Sequence, residues 1–207
     1  MLFHRMALGE LGANCYITAD EETGRACIFD APDDAERILA YMDKKGLKLG
    51  YIFLTHAHFD HIMALDELKR ATGAKVYIHP DDVEMLNNPA LNLSADCNVT
   101  LPRLEYDAAV LDGDVIETPC GEVRVIHTPG HTKGSVCYLL NGDTLISGDT
   151  LFKRSIGRSD GPGGSYENEI SAIKEKLMTL DDDVKVYPGH GFSTSIGAER
   201  KENPFLI

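Results

Sequence analysis

Four apolar stretches of this chain end in the same way. YIFLT (51–55) runs into His56, VRVIHTPG (123–130) into His131, DTLISG (143–148) into Asp149 and VKVYPG (184–189) into His190. A short continuous apolar run reads as a strand covered on both faces. Buried strands that each stop at an imidazole or a carboxylate must gather those groups at one rim of the sheets. No other feature narrows the possible folds as much. In the last three, a glycine directly precedes the polar residue, at Gly130, Gly148 and Gly189. Glycine lets the backbone turn sharply and approach closely without a β-carbon clash.

The first ending is the densest. THAHFDH (55–61) packs three imidazoles and a carboxylate into six positions. Crowded imidazoles gain nothing from packing and repel once charged, so they need a shared partner. Residues i and i+2 of an extended segment face the same side, so His56 and His58 can reach one cation. Asp60 and His61 stand where the next helix begins and can turn toward a second. The pattern predicts two divalent ions. His56, His58 and His131 hold one, Asp60, His61 and His190 hold the other, and Asp149 bridges them. Imidazole and carboxylate ligands suit zinc, the first expectation, and also iron and manganese. His4 and His79 fit no such pattern and are expected to be structural or solvent-facing. His127, four residues before His131, is expected to pack, with a hydrogen bond behind His131 as the alternative.

The rest of the chain alternates strands and helices. NCYIT, the turn DEETGR and ACIFD form an opening hairpin. A helix is predicted from Asp33 or Asp34 to Gly46, with Ile38, Leu39 and Met42 on one face. IMALDELKRAT is predicted helical and is stopped by Gly73. KVYIH, DVIET, EVRVIH, SVCYLL and TLIS read as strands, with an Asn141-Gly142 hairpin between the last two. A helix capped by Ser165 is predicted over 166–180, with Ile170, Ile173 and Leu177 inward, and VKVYP is the last strand. Residues 87–107 look irregular. The expected class is α+β, a four-layer αββα sandwich of two sheets with helices outside, in one domain spanning 1–207.

The net charge of −13 disfavours a nucleic-acid partner and favours a small substrate. No run approaches the roughly 18 apolar residues of a membrane span. The N-terminal MLFHRMALGELGANCY lacks the apolar core of a signal peptide. Cys15, Cys27, Cys97, Cys120 and Cys137 are odd in number and scattered, so they read mostly as small buried hydrophobes rather than a disulfide framework. Together these features predict a cytoplasmic protein; the oligomeric state stays open.

THAHFDH, HTPGHTKGS (127–135), GDTLF (148–152) and YPGHG (187–191), in this order and approximate spacing, resemble the metallo-β-lactamase superfamily. Within it they resemble the glyoxalase II-like hydrolases. The match covers nearly the whole chain, and SIGRSDGPGG (155–164) and ERKENPFL (199–206) look like short bacterial members. The resemblance implies the metallo-β-lactamase fold and metal-dependent hydrolysis of a thioester such as S-lactoylglutathione. Metal-bound hydroxide would attack the carbonyl, since two divalent ions acidify a shared water from 15.7 toward roughly 7. Asp60 could accept a proton in that attack. Lys153, Arg154 and Arg158 could meet an anionic part of the substrate. Two departures stand out. Full-length glyoxalase II carries a C-terminal helical region that helps bind glutathione, whereas only residues 191–207 follow His190 here. His-Ile-Met-Ala (61–64) also replaces a small-residue turn.

The same resemblance holds alternatives. A persulfide dioxygenase would use one iron on His56, His131 and Asp149, and its GR-[ST]-D stretch resembles Gly157–Asp160. Hydrolysis of another ester, a lactone or a phosphodiester is a third reading. A non-catalytic scaffold of this fold usually lacks several ligands, and all seven are present here. Most β-lactamase sites lack the equivalent of Asp149.

Overall fold

The computed structural model describes residues 1–207. The first sheet runs in sequence order through β1 (Leu2–Leu8), β2 (Ala13–Ala19), β3 (Arg25–Phe29), β4 (Lys48–Phe53), β5 (Lys75–Ile78) and β6 (Ala108–Ala109). The second contains β7 (Val115–Thr118), β8 (Gly121–His127), β9 (Val136–Leu140), β10 (Thr144–Gly148), β13 (Lys185–Pro188) and β14 (Thr194–Ser195), in the order β14-β13-β10-β9-β8-β7. A small hairpin joins β11 (Leu151–Phe152) to β12 (Ser155–Ile156). The helices are α1 (Ala35–Lys45), α2 (Leu65–Thr72), α3 (Tyr166–Ala172) and α4 (Ile196–Glu202).

Side-chain alternation along the strands builds the layers. Ile17, Ile28 and Ile52 point to one face and meet Ile38 and Met42 of α1 and Leu65 and Leu68 of α2. Their neighbours Tyr16, Phe29 and Phe53 point to the other face and meet Val125, Val136 and Tyr138 of the second sheet. The far face of that sheet offers Cys137, Leu139, Leu145 and Val186 to Ile173, Leu177 and Ile196. Three apolar interfaces thus separate four layers, the expected αββα sandwich. Burying one side chain of the size of Phe29 or Phe53 contributes about 1.5–3 kcal/mol. Gains of that size let the rim hold buried polar groups that add nothing to packing.

Strand direction places the rim. β3, β4 and β5 are parallel. β8 and β10 both run antiparallel to β9, and β10 runs parallel to β13. The C-terminal ends of β8, β10 and β13 therefore lie together, as do those of β3 and β4. Open parallel sheets place their sites at such ends. Across the two sheets, Val136 N–H donates to Thr55 O and Tyr138 Oη–H to Leu54 O, both at 2.8 Å. Tyr16 Oη–H donates to Pro188 O at 2.7 Å. These bonds pin the end of β4 to β9 and β2 to β13.

The predicted caps hold for α1: the Asp34 side chain accepts from Arg37 N–H, and Gly46 closes the helix in the left-handed region. Gly73 ends α2 the same way. Asn141 and Gly142 both take positive φ in the β9–β10 turn. Four expectations need correction. β1 precedes the predicted opening hairpin. Its His4 and Arg5 break the apolar pattern because an edge strand leaves one side to water. β14 and α4 follow VKVYP, so β13 is not the last strand. α2 starts at Leu65 rather than near Ile62, because Phe59–His61 first forms a separate 3₁₀ turn. The helix predicted over 166–180 is α3 followed by a π-helical turn, Ile173–Leu177. Four cysteines are buried and Cys97 is exposed. No helix is long and apolar enough to cross a membrane.

Candidate metal centre

The strand ends deliver the seven candidate ligands to one place. Ligand atoms of His56, His58 and His131 lie within 4.8 Å of one another, and so do those of Asp60, His61 and His190. Asp149 connects the two groups. Its Oδ1 is 3.5 Å from His61 Nε2, and its Oδ2 is 3.7 Å from His131 Nε2 and 3.6 Å from His190 Nε2. Between the groups, His56 also lies within 4.8 Å of His61 and Asp149.

Glycine makes the approach possible at two points. Gly148 sits at φ 49°, and a β-carbon there would come within 2.6 Å of the Thr55 side chain. One at Gly189 would lie 2.1 Å from Asp149 Oδ1. No real β-carbon tolerates such contacts, so the turns before Asp149 and His190 require glycine.

Hydrogen bonds behind the rings set where each lone pair points. Thr55 Oγ1–H donates to Asp30 Oδ2 at 2.9 Å, so Thr55 Oγ1 accepts from His56 Nδ1–H at 3.0 Å. His61 Nδ1–H donates to the same Asp30 oxygen at 2.9 Å. His131 Nδ1–H donates to Arg158 O at 2.6 Å, and His190 Nδ1–H to Leu11 O at 3.2 Å. An oxygen acceptor on Nδ1 fixes the proton there and leaves the Nε2 lone pair free for a metal. His58 is turned the other way, with Nδ1 2.8 Å from His131 Nε2. Its Nε2 is buried without a partner.

This arrangement fits divalent ions. His56 Nε2 and Asp149 Oδ1 are buried and have no hydrogen-bond partner. Leaving such groups unpaired costs about 1–3 kcal/mol each. Each of these atoms belongs to a close group of candidate ligands, and a shared cation satisfies them together. The donor set, five imidazoles and two carboxylates, is the set such ions take.

The electrostatics divide the cluster in two. Burial, then the neighbouring His131 and His61, push His58 down to about 3. Burial and the other imidazoles push His56 down as well. Burial also acts to lower His61, but Asp149, Asp30 and Asp60 outweigh it and raise that ring to about 10. His190 is raised by Asp60 and Asp149 against its burial. Burial acts to raise Asp60, yet His61 and His190 hold it below the usual carboxylate range. At neutral pH the metal-free chain thus keeps a proton on the His61–His190 side. Loading at about pH 7.5 is expected to release at least one proton, and apparent affinity is expected to rise about tenfold per pH unit per proton up to about pH 10. Calorimetric titration with zinc in buffers of different ionisation enthalpy measures this. Uptake without proton release contradicts the assignment.

The cationic substrate candidates place no charged group in hydrogen-bond reach of a candidate ligand. Arg154 Nε bonds Glu202 Oε2 at 3.0 Å, and its backbone N–H donates to Glu199. Lys153 is exposed beside it. Arg158 forks onto Asp160 at 2.8 and 3.2 Å on its own exposed loop. Its backbone carbonyl is the part that touches the site, through His131. His127 does not hydrogen-bond behind His131: its Nε2 bonds Lys133 O at 2.9 Å. It stacks on His79 with ring centroids 4.0 Å apart and planes at 12°. Together with Asp81 these two rings form a third close group. Lone pairs lying in nearly parallel planes 4 Å apart cannot converge on one ion, so packing is the reading that stands for both.

Two residues escaped sequence reasoning. Asp30, buried and at φ 59°, also accepts from Thr55 N–H at 2.7 Å and so joins β3, β4 and two candidate ligands. Its signal was present, since ACIFD (26–30) ends an apolar strand in a carboxylate like the other endings. Asp82 is buried and accepts from Ala57 N–H, Thr132 Oγ1–H and Gly134 N–H at 3.2, 2.8 and 2.7 Å. It ties the His56–His58 segment to the turn that carries His131. Nothing in PDDVEML marks it.

Comparison with known proteins agrees with this geometry. The metallo-beta-lactamase superfamily profile matches residues 8–190. The probable metallo-hydrolase YqgX of Bacillus subtilis is 37% identical, covering 100% of this chain and 98% of its own. The hydroxyacylglutathione hydrolase GloC of Haemophilus influenzae is 33% identical, covering 93% and 92%. Among solved structures, the B3 metallo-beta-lactamase BLEG-1 superposes with a TM-score of 0.95 at 35% identity, covering 100% of both chains. TTHA1623 in a di-iron-bound form gives 0.88 at 33%, covering 98% and 100%. ETHE1 from Myxococcus xanthus gives 0.81 at 31%, covering 99% and 84%. With strand ends, glycines and polarised imidazoles all converging on one metal-binding rim, the chain belongs to the metallo-β-lactamase superfamily, among its metal-dependent hydrolases.

Proposed function

We propose that the chain hydrolyses small-molecule thioesters of the S-lactoylglutathione type with a two-metal centre, in the cytoplasm. The observation that carries the reading is the pair of three-residue groups joined by Asp149. The relation to GloC supports the substrate class. His56, His58 and His131 would hold one ion, Asp60, His61 and His190 the second, with Asp149 reaching both. Zinc is the proposed metal, while the di-iron form of TTHA1623 keeps iron in view. When bound, such ions supply an acidified water and an acceptor for charge developing on the carbonyl oxygen.

The chain's own residues do the rest. Asp30, Thr55, and the carbonyls of Arg158 and Leu11 hold the ring protons away from the centre. Asp60 is held below the usual carboxylate range, so it is a weak proton acceptor at neutral pH and serves as a ligand first. A thiolate leaving group needs no acid partner, because its thiol ionises near 8.5.

Purified, metal-loaded protein is expected to hold about two ions per chain and to release thiol from S-lactoylglutathione or other acyl thioesters, with activity lost to a chelator and restored by metal. No metal-dependent thiol release across an acyl panel overturns the reading. The superposition on BLEG-1 favours a second one, opening of a β-lactam ring by the same centre. Turnover of a chromogenic cephalosporin without thioester turnover would select it. One iron per chain with oxygen uptake on glutathione persulfide would select a dioxygenase instead.

A further inference from the structure

A cavity of about 300 Å³ opens beside Asp60. Leu8 lines it from the end of β1, Leu11 from the β1–β2 turn, Met63 from the segment after His61, and Val99 from the irregular stretch before β6. Glu10 and Asp33 supply its remaining charge. The cavity is built into the metal rim. Leu11 O accepts from His190 Nδ1–H, Met63 follows the 3₁₀ turn that carries Asp60 and His61, and Asp60 itself forms part of the wall. Leu11 leaves 57% of its surface to water at the mouth, although it is a large apolar residue. No lysine or arginine lines the cavity, and neither Glu10 nor Asp33 forms an ion pair. Arg158 lies instead beside the other group, with its carbonyl on His131 and its charge acting on His58. The centre therefore has the Arg158–Asp160 ion pair on one flank and an apolar, acidic cavity on the other.

We propose that this cavity is the acyl subsite and takes an uncharged, apolar acyl chain while rejecting one that ends in a carboxylate. The assignment rests on the thioester reading, with the thiol carrier on the Arg158 side. The apolar walls contribute affinity with each methylene they cover, about fourfold per CH₂. Glu10, which is exposed, and Asp33, which is half-buried, repel a second negative charge brought into the cavity, an effect that salt weakens.

The test separates this proposal from the thioester reading by using ligands that do not react. Neutral primary amides from acetamide to hexanamide, and the ω-carboxylate analogue of the longest, are titrated into metal-loaded protein carrying ¹³C-methyl methionine. The Met63 methyl resonance is expected to move with the longer amides. Affinity is expected to rise about fourfold per added methylene until the cavity is full. The carboxylate analogue is expected to bind at least about tenfold more weakly, a gap that Glu10→Gln narrows. Leu11→Asp, which leaves the backbone carbonyl in place, is expected to abolish the chain-length dependence. A Met63 methyl that responds no more to hexanamide than to acetamide, or equal binding of the carboxylate analogue, overturns the proposal. The expected amide pattern without turnover of any thioester keeps the apolar selectivity of the cavity and overturns only the reaction assigned beside it.

Discussion

Asp30→Asn is expected to leave the fold in place and to weaken binding of the second ion by about 10–100-fold, with a similar loss in kcat/KM at limiting metal. The reason is a matter of proton direction. One oxygen of Asp30 takes the Thr55 backbone N–H at 2.7 Å. The other takes both Thr55 Oγ1–H and His61 Nδ1–H, each at 2.9 Å. Asparagine can keep the first bond with its carbonyl. Its amide then presents N–H groups to His61 Nδ1–H, donor against donor. The ring relieves this by moving its proton to Nε2, the atom 3.3 Å from His190 Nε2 and 3.5 Å from Asp149 Oδ1. A proton on Nε2 removes the lone pair that a metal needs. His56 is disturbed less, because Thr55 can still accept from it. The two ions should therefore come apart in a titration, one site tight and one weak. Metal content after graded dialysis against a chelator measures this, and an unchanged pair of tight ions contradicts the role given to Asp30. Asp30→Ala is the harsher variant. It leaves three buried donors without an acceptor and is expected to cost roughly 3–5 kcal/mol of stability.

The history of Asp30 shows what was readable in advance. The strand-ending habit marked His56, His131, Asp149 and His190 because each follows a long apolar run, and the HxHxDH spacing marked the rest. The same habit ended ACIFD in Asp30, yet its meaning depends on which strand lies alongside. Only the parallel pairing of β3 with β4, Phe29 opposite Phe53, brings Asp30 to Thr55, 25 positions away. Asp82 is less legible still. It serves chain segments 25 and 50 or more positions distant, and its local sequence reads as an ordinary helical turn. The edge strands β1 and β14 were missed for a local reason, since half of an edge strand faces water and its pattern looks like a loop. The cations of the 153–158 region sit close to GDTLF in sequence, and in the fold Arg154 pairs with Glu202 and Arg158 with Asp160. What reaches the centre from that loop is a backbone carbonyl, which no side-chain pattern encodes.

Glu169 offers the second large effect. It is fully buried in α3, packs against the backbone of Gly130 and Gly157, and neither carboxyl oxygen has a hydrogen-bond partner at good geometry. Burial raises its pKa to about 8, and the charge of Asp149 adds to this against the pull of Ser159 and the Gly157 N–H. The sign follows from linkage. The folded chain holds a proton on Glu169 up to about pH 8, whereas the unfolded chain gives it up near 4.5. Between those values the folded state binds more protons, so stability falls as pH rises and levels off above about 8. At 1.36 kcal/mol per pH unit, this group costs about 3 kcal/mol between about pH 5.5 and about pH 8.5. Glu169→Gln keeps the shape and cannot ionise. It is expected to exceed the parent by about 1.4 kcal/mol near pH 5.5 and by about 4.5 kcal/mol near pH 8.5, a gap that widens by about 3 kcal/mol, as read from urea unfolding at both pH values. All other titrating groups, His61 among them, are common to the two proteins and cancel in the difference. A parent and variant that run parallel across this range would mean that Glu169 is ionised in the fold, with a cation or a water holding it. The buried carboxyl behind the His131 turn would then be a charged brace rather than a neutral plug.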